Sequence, residues 1–270
     1  MATARPAWWL ELALVAFLYA LYELARHLRT DDVATAMSNG RAILSWEQAW
    51  HLDPERLLNQ DLSQLTLVAV LAAYFYATLH YVVTPVVLVW MYRSHPEHYR
   101  MARTTLAAST LTGLLGYYFL PTAPPRLLSG AGFDDLLEDV HEWGWWSGDG
   151  SVPRGLGGLS NQFAAIPSLH VGWALWCGVL IAMYARRRIV RWVGALYPVM
   201  TSIVVVATGN HYLVDTVAGA ATMGVGAVIA WVLARPVAAP GSDADRRIVA
   251  QHSSTGGDRS IAQPDPYVGS

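Results

Sequence analysis

Gly209-Asn210-His211-Tyr212-Leu213-Val214-Asp215 stands between two long apolar runs, residues 200–208 upstream and 216–231 downstream. With the chain helical from Tyr212 onward, His211 and Asp215 fall at i and i+4. That spacing puts them on one helix face, close enough for a carboxylate to hold an imidazole. Ionisable groups at the edge of an apolar span are costly and ask for a reason. Two readings are open on this stretch alone. One is a capped helix start, with Asn210 as N-cap and Asp215 beside the positive end of the helix dipole. The other is a reactive histidine–carboxylate pair.

Working outward, the composition is that of a membrane protein. Of 270 residues 54% are hydrophobic and 14% charged, and the mean hydropathy is +0.29, too apolar for an ordinary soluble domain. All cationic side chains are arginine. The net charge of −2 supplies no basic field and argues against nucleic acid as a partner. The lone Cys177 lies in an apolar run, reads as a small buried hydrophobe, and fixes no redox compartment.

Six apolar runs read as transmembrane helices, at about 7–22, 65–92, 104–120, 171–184, 192–208 and 212–233. The first is followed by Leu-Ala-Arg-His-Leu-Arg rather than a small-residue cleavage site, so it reads as a retained span. The expected organisation is a first transmembrane helix in 1–27 and an extracytoplasmic loop in 28–64. A catalytic membrane core of helices two to six occupies 65–236, and a disordered cytoplasmic tail 237–270. Within the loop, Ile43, Leu44, Trp46, Trp50 and Leu52 recur near helical spacing and predict an amphipathic helix at the membrane surface. A further helical piece is expected after Pro54. Pro85 is expected to kink the second span, and His80 within it reads as a hydrogen-bonded structural residue. Trp143, Trp145 and Trp146 read as interface anchors, and the Gly-rich stretch 148–158 as a lid or a plain linker. Gly219, Ala220, Ala221, Gly224 and Gly226 would let the last span pack closely.

An even number of spans puts both termini on one side, and that side collects twelve of the eighteen arginines. The positive-inside rule makes it cytoplasmic. Arg126, His170 and His211 then all fall at the outer ends of spans. The fold class expected is all-α: a polytopic bundle of six transmembrane helices with its active site at the extracytoplasmic face. Abundant Ala, Arg and Val with no Lys suggest a bacterial plasma membrane as its location.

Arg126 follows Pro121-Thr-Ala-Pro-Pro, a stiff exit from the membrane, and offers a planar fork of donors for phosphate oxygens. Ser168 can cap the fourth span and Asn210 the sixth, so two helix N-termini would face a common anion, with Asn161 nearby. His211 is the candidate nucleophile and Asp215 its orienter. His170 is the candidate general acid and base. A metal held by the two histidines and Asp215, and a transport path lined by the same groups, are the competing readings. The set requires no cofactor.

Pro-Thr-Ala-Pro-Pro-Arg126, Asn161-Gln-Phe-Ala-Ala-Ile-Pro-Ser-Leu-His170 and Gly209-Asn-His-Tyr-Leu-Val-Asp215 together resemble the type 2 phosphatidic acid phosphatase superfamily. They are most similar to its branch of inositol phosphorylceramide and sphingomyelin synthases. The resemblance implies His170 as acid, His211 as nucleophile and Asp215 as its partner. It also implies a phosphohistidine intermediate and a lipid phosphate or phosphodiester substrate in the bilayer. The chain departs from the phosphatase pattern in three places. Pro-Ser-Gly-His reads Pro-Ser-Leu-His; Val204 and Val205 replace a Ser-Arg; and the first motif's Lys has no counterpart. Fewer cationic ligands favour a phosphodiester donor and transfer between hydroxyls. The alternative is hydrolysis of phosphatidic acid-like or prenyl (pyro)phosphate substrates, and a non-catalytic transporter is a third reading.

Overall fold

The computed structural model describes residues 6–27, 33–146 and 162–235. The expectations for the tail, for the Gly-rich stretch and for Asn161 lie outside the described residues. The chain divides after Ala234, and the helical unit before that point carries every feature discussed below.

Helices cover all six apolar runs. They are α1 (Trp8–His27), α4 (Thr66–Ser94), α5 (Pro96–Phe119), α7 (Leu169–Tyr184), α8 (Arg188–Ala207) and α9 (Leu213–Ala234). Between α1 and α4 stand α2 (Val33–Ala49) and α3 (Glu55–Ser63), and α6 (Leu136–Asp139) is a single turn in the loop after α5. α4, α8 and α9 are long and apolar enough to cross a membrane. α7 is apolar but shorter. α5 falls short because its first turns carry Glu97, Arg100 and Arg103 and its middle carries Ser109, Thr110 and Thr112. Leu71, Val86, Leu196 and Val228 on the outward faces are each more than half exposed. Water would not tolerate so continuous an apolar surface, whereas lipid matches it. α4 runs unbroken through Pro85.

Glycines set the closest helix crossings. A Cβ on Gly219 of α9 would lie 2.2 Å from the Ser168 carbonyl oxygen at the start of α7, and one on Gly172 would lie 3.0 Å from the Gly219 oxygen. Gly226 meets the backbone of α5 in the same way, whereas a Cβ on Gly224 would meet nothing. One end of the bundle is tied by Glu11 of α1, which takes Arg103 Nη1 at 2.6 Å and the Tyr99 hydroxyl at 2.7 Å. Tyr92 donates to the Pro6 carbonyl at that same end.

Two expectations are corrected here. α2 begins eight residues before the amphipathic stretch, and its inner face is Ala36, Gly40, Leu44 and Glu47. The small residues of that face, invisible to a search for large apolar side chains, let α2 press against the segment 121–123. Ala123 N donates to Ala36 O at 3.0 Å, and Asn39 Nδ2 to Pro121 O at 2.8 Å. Trp46 and Trp50 do face outward. Of the three loop tryptophans only Trp143 stays exposed. Trp146 is fully buried against Tyr74, its Nε1 donating to Leu137 O, and Trp145 Nε1 donates to Thr78. Their indole N–H groups find partners inside the protein, so these two rings serve packing rather than anchoring.

Candidate active site

The far end of the bundle is built where α8 stops. Thr208 caps α8 and Gly209 takes a left-handed φ of +70°. Gly209 N donates to Val206 O and Asn210 N to Val205 O, the bond pattern of a Schellman motif. A Cβ at Gly209 would meet Asn59 Nδ2, Arg126 Cβ and the Asp134 oxygen at 3.2–3.3 Å. Conformation and space therefore both require glycine here. The reversal it makes presents Asn210 and His211 before α9 begins.

Three distant segments close around this turn. Arg126, in a 3-10 turn at Pro125–Leu127, donates its backbone N–H to Gly209 O at 3.0 Å. Thr122 and Ala164 form a parallel bridge that zips 121–123 beside 163–165. From this pair, Ala123 O accepts the Tyr212 hydroxyl at 2.8 Å and Ala165 O lies 2.8 Å from His211 Nδ1. Ser168 N donates to Asp215 O at 3.1 Å. His170, His211, Asp215, Arg126, Ser168 and Asn210 are thus gathered at one place.

His211 is 3% exposed and its tautomer follows from its partners. Nδ1 faces Ala165 O at 2.8 Å and Asp215 Oδ2 at 3.3 Å. A carbonyl oxygen only accepts, so Nδ1 carries the hydrogen and Nε2 keeps its lone pair. The same Asp215 Oδ2 accepts the Tyr212 N–H at 2.9 Å, while Oδ1 is buried without a donor. The sequence reading found the carboxylate but not the carbonyl, which is the nearer of the two. The His170 ring lies 5.9 Å from that of His211, centroid to centroid.

Arg126 is held on two sides. Nε donates to Asn210 Oδ1 at 3.0 Å and Nη1 pairs with Asp135 Oδ2. Nη2 has no protein partner among the described residues, which leaves a cationic edge for an anion. Asn210 therefore orients Arg126 and does not cap α9, which starts three residues later. Its Nδ2 is taken by Thr208. Asn59 explains why the loop bearing Asp135 reaches the site. Fully buried, it bonds the backbone of Asp134 through both Oδ1 and Nδ2, and Ala207 O through Nδ2. Ser168 does cap α7, accepting from Val171 N at 3.5 Å, and is fully buried there.

The start of α9 is not free for an anion. Glu47 Oε1 accepts the Val214 N–H at 2.7 Å. Glu47 and Glu55 are both buried, and among the described residues Glu47 Oε2 and both Glu55 oxygens meet no donor from any other residue. Burial, a hydrogen bond with Glu55 and its charge push Glu47 up to about 9. Burial raises Glu55 too. Nothing in the local sequence marks either carboxylate as buried. Val204 and Val205, where the resemblance leads one to expect Ser-Arg, lie in an apolar cluster with Tyr76, Leu136, Leu137 and Trp146. No cation comes from that position. Among the described residues no three His, Cys, Asp or Glu side chains form a group able to hold a metal ion.

No curated protein and no solved structure gives a significant match. Residues 41–229 match the PAP2 superfamily, a group of phosphatases and phosphotransferases. The match covers more than two thirds of the chain and takes in Glu47, Arg126, Asp135, Ala165, His170 and the whole 209–215 turn. With that span and all three motif segments converging on one turn, the chain belongs to the PAP2 superfamily.

Proposed function

We propose that the protein is an integral-membrane lipid phosphotransferase that works at the outer leaflet through a phosphohistidine at His211. The observation that carries this reading is the tautomer of His211: Nδ1–H held by Ala165 O and Asp215, Nε2 bare. Nε2 attacks phosphorus as the bond to the leaving alkoxide breaks, and His170 gives that alkoxide its proton. The phosphorylated ring, substituted at Nε2 and still carrying Nδ1–H, is cationic, and buried Asp215 stabilises it where water cannot. The acceptor hydroxyl then loses its proton to His170 while its oxygen attacks phosphorus and frees His211. Arg126 binds the non-bridging oxygens.

Transfer is favoured over hydrolysis of a monoester by charge. Arg126 is already partly neutralised by Asp135, and Val205 supplies no second cation. Such surroundings suit the single negative charge of a phosphodiester better than the double charge of a monoester. The same argument supports kinship with the inositol phosphorylceramide and sphingomyelin synthases. Hydrolysis of phosphatidic acid-like or prenyl phosphates by the same residues is the second reading, with water as acceptor. Six crossings with cytoplasmic termini fit the Glu11–Arg103 end, which gathers the arginine-rich turns, and the opposite placing of the site.

A phosphodiester donor labelled in its transferred group should mark the wild-type protein in an acid-labile, alkali-stable linkage. His211→Ala should not be marked. Label persisting in His211→Ala refutes the mechanism, and release of the labelled group as a water-soluble phosphomonoester, or of free phosphate from a monoester donor, in place of a new phosphodiester lipid replaces transfer with hydrolysis.

A further inference from the structure

A third histidine meets the two already described. His80 lies on α4, one turn beyond Tyr76, and is 7% exposed. Its Nδ1 is 3.0 Å from Tyr76 O. By the argument applied to His211, Nδ1 carries the hydrogen and Nε2 keeps a lone pair. The His80 ring stands edge-on to His170 at 4.3 Å between centroids and an interplanar angle of 73°. The Tyr76 ring lies stacked on His170 at 4.5 Å and 23°. Successive turns of α4 therefore hold the ring of His170 from two directions.

His170 needs such holding. His211 is oriented by hydrogen bonds at the nitrogen it does not use, but His170 has Nε2 buried with no hydrogen-bond partner. Among the described residues, the rings of Tyr76, His80 and His211 are what set its attitude. An imidazolium is attracted to aromatic faces, and neutral imidazole less so. Two imidazolium ions at 4.3 Å would repel, so His80 stays neutral while His170 cycles. Other groups facing the pair are Tyr81 against His80, Trp173 on α7, His211, and the Arg126–Asp135 pair near Tyr76.

From this arrangement we infer that His80 is a positioning residue for His170, holding its ring in the attitude in which it gives its proton to a leaving alkoxide. The inference rests on the proposed role of His170 as acid. The proton path is that of the proposed reaction: His170 loses the proton to the alcohol that leaves and regains one from the acceptor hydroxyl. His80 exchanges none.

A leaving group that needs no proton separates this from a packing role. Bis(4-nitrophenyl) phosphate releases a phenolate unaided, and dihexanoylphosphatidylglycerol must release an alkoxide. Purified full-length His80→Phe keeps a ring of similar volume. It should retain the wild-type rate for the burst of nitrophenolate that accompanies phosphorylation of His211. Its kcat on the dihexanoyl lipid should fall about tenfold or more with little change in KM. His80→Gln, which restores polarity without a ring, gives the same comparison if the Phe variant does not fold. An equal fall on both substrates, or no fall on either, overturns the inference. A burst that survives in His211→Ala, or wild-type protein inert toward both substrates, instead overturns the proposed function.

Discussion

Replacing Glu47 by glutamine should leave the fold intact yet flatten its dependence on pH. Glu47 Oε1 takes the Val214 N–H, while among the described residues Oε2 and both oxygens of Glu55 meet no other donor. The arrangement that a single proton allows has Glu47 protonated, its carbonyl oxygen accepting from Val214 and its hydroxyl donating to one oxygen of the Glu55 carboxylate. Glutamine reproduces both halves, with an amide oxygen for Val214 and an amide N–H for Glu55. The folded-state value of Glu47, about 9 against an ordinary 4.5, is raised, so the folded protein holds a proton that the unfolded chain has released. Stability from this group is complete below the ordinary value and is lost as pH rises toward the raised one. The slope for one proton is about 1.4 kcal/mol per pH unit. Between about pH 6 and about pH 8 wild type should therefore lose about 3 kcal/mol that Glu47→Gln keeps, or about 5–10 °C in Tm for a domain of this size. Glu47→Ala should be less stable at every pH by about 1–3 kcal/mol, because it leaves the Val214 N–H buried and unpaired. The assay is thermal unfolding of the three full-length proteins in detergent across that window. Parallel curves for wild type and Glu47→Gln refute the shared proton. Equal damage from Gln and Ala refutes the mimicry.

Two further outcomes follow from the turn itself. Gly209→Ala forces a Cβ into the left-handed region and against Asn59, Arg126 and Asp134. It should cost about 1–2 kcal/mol in stability by thermal unfolding and lower kcat more steeply than that loss alone explains, because Arg126 and His211 both hang on this turn. Asp135→Asn keeps an acceptor for Arg126 Nη1 but removes the charge that partly neutralises it. Inorganic phosphate should then inhibit more strongly, by about fivefold, with stability changed by less than about 1 kcal/mol, and weaker inhibition would contradict the placing of the anion at Arg126.

What the sequence made legible here was whatever is local. Apolar runs became helices, Ser168 became a cap, and the i, i+4 spacing of His211 and Asp215 became a contact. What it hid was whatever depends on a distant backbone or on pairing. Ala165 O orients His211 more closely than Asp215 does, yet a carbonyl belongs to every residue and no side chain announces it. Glu47, Glu55 and Asn59 lie in a polar stretch, and a carboxylate that shares a proton in the interior is spelled like one that faces water. Asn210 shows the same ambiguity in a single atom, since an amide oxygen suited to capping N–H groups is equally suited to a guanidinium. That last substitution changes the chemistry inferred. With Glu47 on the first turn of α9 and Asn210 on Arg126, the α9 terminus offers the anion much less than its position in the chain implies. The positive charge falls mainly on one arginine that already shares itself with Asp135, and that light charge is the ground on which a singly charged donor is proposed.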